Sequence, residues 1–102
     1  MQRHDFQFAS GFRVVLGNDD SQAGEMVLEP GASIGGPENR HQQSDQWLYV
    51  AAGRGVAVIE GAEHELRPAT LLLIERGEGH EIRNTGEERL ETVNFYVPPA
   101  YG

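Results

Sequence analysis

The chain contains no cysteine. Disulfides, thiol nucleophiles, thiolate zinc sites and iron–sulfur clusters are therefore excluded. Lysine is absent too, and all eight basic residues are arginine. Schiff-base chemistry and the phosphate-binding P-loop lose the residue they require. Long apolar runs are missing as well. Runs such as Leu71 to Ile74 fall far short of the roughly 18 residues of a membrane span. The opening MQRHDFQF carries no apolar stretch of the signal-peptide kind, so a soluble, cytoplasmic chain is expected. Positive charge is scarce: 16 acidic against 8 basic residues give a formal charge of −8. The arginines are dispersed, which argues against nucleic-acid or anionic-membrane partners, since both need clustered positive charge.

What is present fits one domain spanning residues 1–102. Short apolar segments recur at Phe12–Leu16, Met26–Leu28, Trp47–Val50, Val56–Ile59, Leu71–Ile74, His80–Arg83 and Thr92–Val97, divided by turn residues such as Pro30-Gly31, Gly53-Arg54-Gly55 and Glu60-Gly61. That rhythm predicts an all-β sandwich or barrel. In the last segment Val93, Phe95 and Val97 share one face, while Thr92, Asn94 and Tyr96 share the other. No window sustains a helical period, and no linker or long repeat is visible.

Two short matches fail on context. Gly31-Ala32-Ser33-Ile34-Gly35 fits the nucleophile-elbow pattern, but no helix pattern follows and Pro37 stands where one would begin. It reads as a glycine-rich loop entering a strand. Asn18-Asp19-Asp20-Ser21 lacks the glycine and terminal glutamate of a calcium loop and reads as a turn.

The chemistry lies in two blocks, about 31–55 and about 66–84. Each holds a histidine, His41 and His80, and an isolated histidine beside a strand is ordinarily a surface or hydrogen-bonded residue. The surrounding residues give them weight. Gly77, His80 and Asn84 keep the spacing of G-x5-P-x-G-x2-H-x3-N, while His41, Gln46 and Gly53 follow the later part of G-x5-H-x-H-x3,4-E-x6-G. With Trp47-Leu48-Tyr49-Val50 as the hydrophobic strand of the first motif, the chain resembles the cupin superfamily, single small β-barrels of the double-stranded β-helix or jelly-roll type. The resemblance implies a barrel whose interior holds a divalent transition metal ion (Zn, Fe, Ni, Mn or Cu) on three histidines and a glutamate. It also implies isomerisation, cyclisation or oxygenation of a small organic molecule.

This sequence departs from that pattern. Asn39 replaces the first histidine and Gln46 the glutamate, while Ala69 stands for a glycine and Glu75 for a proline. The implied ligand set becomes His41, His80 and Gln46, with Asn39 as a further candidate. Such a set carries no charge to compensate the ion, so its affinity is expected to be reduced. Asp45 would restore a carboxylate, but strand alternation puts it on the face opposite Gln46. Two functional classes follow: a metal-dependent enzyme on a small organic substrate, with His80 or Glu81 as proton carriers, or a metal-free module that binds or senses a small ligand. Trp47 and Tyr49 are expected to face outward, either as a homodimer contact or packed under a loop or the N-terminal segment. Asn84 is expected to satisfy backbone groups in a turn, His64 to be solvated, and Pro98 to Tyr101 to form an extended tail packing across the barrel.

Overall fold

The glycine-punctuated apolar segments become β-strands in the computed structural model, which describes residues 1–36 and 41–102. The described residues form β1 (Gly11–Gly17), β2 (Gln22–Leu28), β3 (Ser33–Gly36), β4 (Asp45–Ala52), β5 (Gly55–Ile59), β6 (Ala62–Leu66), β7 (Leu71–Ile74), β8 (His80–Arg83) and β9 (Leu90–Val97). They make two antiparallel sheets, ordered β1-β2-β9-β4-β7 and β3-β8-β5-β6. Met26, Leu28, Leu48, Val50, Ala57, Leu66, Ile82 and Leu90 fill the space between the sheets. All-β double-stranded architecture was therefore correctly expected.

Two strands were not expected. β3 is Ser33-Ile34-Gly35-Gly36, which reads as a loop, yet it pairs with β8 from Ser33↔Arg83 to Gly36↔His80. β6 pairs with β5 across Glu60-Gly61 and exposes every residue except Leu66. Both are edge strands, and an edge strand with little buried face writes no hydrophobic alternation into the sequence.

Turn chemistry explains two motif positions. Gly53 adopts φ +89°, and a Cβ there would sit 2.3 Å from the carbonyl oxygen of Arg89, so the strand end requires glycine. Ala69, where the motif has glycine, is nevertheless held at φ +74°. This is the left-handed region that L side chains avoid.

The alternation of β9 is as expected, but its buried face is the polar one. Leu90, Thr92, Asn94 and Tyr96 point inward, while Phe95 and Val97 lie outside at 44% and 41% exposure. In β4, Gln46, Leu48 and Val50 point in, and Trp47 and Tyr49 point out. Register sets Trp47 between Leu73 and Phe95, and Tyr49 between Leu71 and Val93, giving a continuous apolar outer face. The N-terminal segment does not cover it. Instead it lies over β2, where the Phe8 N–H donates to Glu25 Oε1 at 2.8 Å and Glu25 is ion-paired with Arg13.

Candidate functional site

β4 and β8 carry Gln46 and His80 to the same end of the barrel. Both are inward positions of alternating strands, 3% and 4% exposed. His41 precedes β4, and its carbonyl accepts from the Gly77 N–H at 2.8 Å, so the two histidine-bearing segments are tied together. The imidazoles of His41 and His80 face each other with centroids 5.3 Å apart, tilted by 38°. His80 Nδ1 lies 3.2 Å from the Glu78 carbonyl oxygen. A carbonyl only accepts, so this contact assigns the ring proton to Nδ1 and the lone pair to Nε2.

Burial lowers the pKa of His80, outweighing the bond and charge at Glu78 that raise it. Burial also lowers that of His41, helped by repulsion from His80 and opposed by the side chain of Gln46. Both rings are therefore neutral at and above pH 7, the form in which imidazole is a metal ligand or a proton acceptor.

Gln46 heads a polar chain along the inner face. Its Nε2 donates to Asn94 Oδ1 at 2.9 Å, Asn94 Nδ2 donates to Thr92 Oγ1 at 3.0 Å, and Thr92 Oγ1 donates to the Met26 carbonyl at 2.8 Å. Every link has a fixed direction. The chain therefore fixes the Gln46 amide so that Oε1, buried and with no hydrogen bond of good geometry among the described residues, is the atom left over beside His41. A buried acceptor without a partner is costly, which marks a place for a donor or a cation. The fit to a metal ion is that of two neutral imidazoles and one amide oxygen. Among the described residues no cluster of three or more His, Cys, Asp or Glu side chains forms a fuller set.

The other expected residues sort clearly. Asp45 turns outward and holds Arg76 at 3.2 Å, so it brings no carboxylate to the histidines. Glu81 lies on the other face of β8 from His80 and pairs with Arg83 at 2.9 Å, which removes it as a companion proton carrier. Asn84 donates to the carbonyls of Leu28 and Glu88 and accepts from the Gly86 N–H, the turn role expected of it. His64 is exposed, as expected. Asn39 lies outside the described residues.

The sequence reading missed three neighbours: Asn94, Tyr96 and Tyr101. Tyr96 is 2% exposed, with its ring edge-on to His41 at 5.3 Å. Tyr101 reaches back over the barrel, 5.6 Å from His41 and 5.1 Å from Tyr96. The signal for Asn94 and Tyr96 was the polar face of β9, which the pairings Gln46↔Tyr96 and Leu48↔Asn94 bring beside β4. A cleft of about 400 Å³ opens at His41 between residues 42–44 and the segment Pro99-Ala100. A groove of about 360 Å³ beside Ala23 and Phe95 has no histidine or carboxylate among its lining residues.

This two-sheet barrel with paired histidines at one end defines a class. The cupin domain family model matches residues 24–96, and the chain belongs to the cupin family. It is 34% identical over 76 residues to the tetracenomycin polyketide synthase protein TcmJ of Streptomyces glaucescens, covering 74% of this chain and 49% of that one. It is 32% identical over 72 residues to the oxalate-binding protein of Thermotoga maritima, covering 71% and 58%. A crystal structure of a Bacillus halodurans protein superposes with a TM-score of 0.85 at 28% identity, covering 91% of this chain and 74% of that one. The chain spans about half the length of the curated relatives it matches.

Proposed function

We propose that this cupin binds a small oxygen-rich organic molecule at the barrel end occupied by His41, Gln46 and His80, with a divalent transition metal ion held by those three side chains. The observation that carries this reading is the convergence of two neutral imidazoles with a buried amide oxygen that makes no hydrogen bond of good geometry among the described residues. A borderline divalent ion accepts N and O donors of this kind. When bound, it would polarise an oxygen of the organic ligand as a Lewis acid. The chain's own residues do the rest: Tyr96 packs edge-on against His41, and a neutral imidazole can take a proton from an acidic O–H or C–H group. Isomerisation or cyclisation needs no more than this. Two of the relatives are named for polyketide synthesis and oxalate binding, which supports an oxygen-rich ligand. Titrating chelator-stripped protein with Zn²⁺ tests the proposal. One ion per chain supports it, and no saturable binding contradicts it.

A second reading has its own observation. The donor set is uncharged, and Asp45 is committed to Arg76. A metal-free pocket that binds or senses its ligand through hydrogen bonds fits the same geometry, and would show ligand-induced stabilisation that survives chelation.

The partner we propose for the outer face is a second copy of this chain. Trp47, Tyr49, Leu71, Leu73, Phe95 and Val97 are each 39–56% exposed and adjoin one another across β7, β4 and β9. A patch that combines aromatic and aliphatic side chains on a flat sheet suits an isologous contact. Trp47→Glu is expected to convert a dimer to a monomer in light scattering.

A further inference from the structure

The segment after β9 is bound to the barrel by the side chain of Gln22. Gln22 Nε2 donates to the Tyr101 carbonyl at 2.7 Å, while its Oε1 accepts from the N–H groups of Ala100 and Tyr101 at 3.2 and 3.0 Å. Gln22 is 9% exposed at the start of β2, so the clamp sits on a rigid element. It seats the Tyr101 ring against three others: Phe12 of β1 at 4.9 Å, Tyr96 of β9 at 5.1 Å and His41 at 5.6 Å. Phe12 in turn lies over Gly24 of β2, where a Cβ would come within 2.8 Å of its ring. The Tyr101 ring is thus packed among β1, β2, β9 and His41 at this end of the barrel, and the rings leave no open space between them. Next to His41 lie the two inward groups of the site, and both are shut off from solvent: His80 is 4% exposed and Gln46 3%. The cleft beside Pro99 and Ala100 reaches His41, but neither His80 nor Gln46 is among its lining residues.

We propose that residues 98–101 are a gate: docked through Gln22 and Tyr101 they close this end of the barrel, and they swing away before an ion or an organic molecule reaches His80 and Gln46. Two features suit a segment that opens on its own. Its backbone bonds at Ala100 and Tyr101 all go to one amide side chain, so rotation of Gln22 releases them together. Tyr101 also stays 38% exposed, so undocking it uncovers less apolar surface than parting any pair of strands. A gate that is mostly closed lowers apparent affinity by the fraction of time it is open, so weakening the dock should increase access to the histidines. The inference rests on the proposed site for what passes the gate. The closure of His80 does not depend on whether a metal binds there, so the two fail separately.

Diethylpyrocarbonate, which carbethoxylates neutral imidazole, reads the gate in the intact metal-free protein at pH 7, with the rate at each histidine followed by peptide mass spectrometry. In wild type, His80 should react far more slowly than the exposed His64. Gln22→Leu and Tyr101→Ala should each speed the reaction at His80 at least fivefold, about the effect of losing one net hydrogen bond, with His64 unchanged and the amides of β9 as protected from exchange as before. The double variant should gain little over the faster single one, because both open the same gate. One consequence needs no variant: in wild type the amides of Ala100 and Tyr101 should exchange at least tenfold faster than those of β9. His80 rates within twofold of wild type in both variants would overturn the gate, as would wild-type amides at Ala100 and Tyr101 that are protected as long as β9. A faster His80 reaction accompanied by an equal loss of β9 protection would also overturn it, since the whole barrel would then be loosening. Zn²⁺ titration of the same proteins keeps the two readings apart: a chain that binds no Zn²⁺ but shows the accelerated His80 reaction loses the metal reading and keeps this one.

Discussion

Restoring the family's carboxylate by Gln46→Glu is the sharpest perturbation of the site. The side chain keeps its shape, but the NH₂ group that donates to Asn94 Oδ1 at 2.9 Å becomes an oxygen facing an acceptor. Asn94 cannot turn its amide without loss, because its Nδ2 is committed to Thr92 Oγ1, which is in turn committed to the Met26 carbonyl. One hydrogen bond is therefore lost in either arrangement, about 1 kcal/mol. The new carboxyl is also buried, since Gln46 is 3% exposed. Burial raises its pKa, at about 1.4 kcal/mol per unit. Together these should destabilise the metal-free variant by roughly 2–4 kcal/mol at pH 7, a fall in melting temperature of roughly 10 °C or more. The carboxyl part has a definite sign. An acid whose folded pKa is raised costs nothing below its unfolded pKa of roughly 4.3 and costs increasingly as pH climbs above it. With a divalent ion present the same charge becomes an asset, and the variant should bind Zn²⁺ at least tenfold more tightly, about 1.4 kcal/mol. Thermal melts with and without Zn²⁺ at pH 5 and 7.5, together with calorimetric titration, read both effects. A folded Gln46→Glu chain with unchanged or weaker Zn²⁺ affinity would refute the placement of Gln46 beside the ion.

Three further outcomes are expected. His41 and His80 titrate below 6.5 in the folded chain, so the unfolded chain takes up more protons beneath that value. Their contribution to stability is complete above about pH 6.5 and declines as pH falls toward their folded values; the melting temperature of wild type should drop between pH 7 and 5 more than that of a His41→Ala/His80→Ala double variant, and parallel curves would contradict the burial of the pair. Burial raises the pKa of Glu25, but the Phe8 N–H bond and Arg13 outweigh it and the net shift is downward; Glu25→Gln should cost about 2 kcal/mol at pH 7 in denaturant unfolding, a deficit that shrinks as acid protonates the wild-type carboxyl, and a cost independent of pH would count against the ion pair. Ala69→Gly should raise stability by roughly 0.5 kcal/mol, the relief of a left-handed alanine less the added chain entropy, and a lower melting temperature would show that Ala69 is not strained.

The sequence made the interior strands legible because β4 and β9 alternate cleanly and because turn glycines such as Gly53 and Gly77 hold the positive φ that glycine favours. It hid β3 and β6, whose exposed edges carry no periodic signal. Within the site, His41, Gln46 and His80 were found through motif spacing, and the outward turn of Asp45 through simple alternation. Tyr96 and Asn94 escaped because the usual rule buries the apolar face of a strand. In β9 the rule inverts: Phe95 and Val97 stay outside, while the inner face keeps the Tyr96 phenol and the hydroxyl and amide of Thr92 and Asn94, which are bonded to each other and to β2 and β4. The tail through Tyr101 was expected to pack across the barrel, but its place beside His41 was not legible. Its position depends on a clamp to Gln22, a contact between residues 79 apart in the chain.

The central claim is that His41 and His80 act together as donors to one ion. Calorimetric titration of Zn²⁺ into chelator-stripped wild type, His41→Ala, His80→Ala and the exposed-histidine control His64→Ala tests it directly. One ion per chain is expected for wild type and His64→Ala, with no saturable binding at the same concentrations for either pocket variant. Undiminished Zn²⁺ affinity in His80→Ala, with the barrel still folded by circular dichroism, would contradict the account.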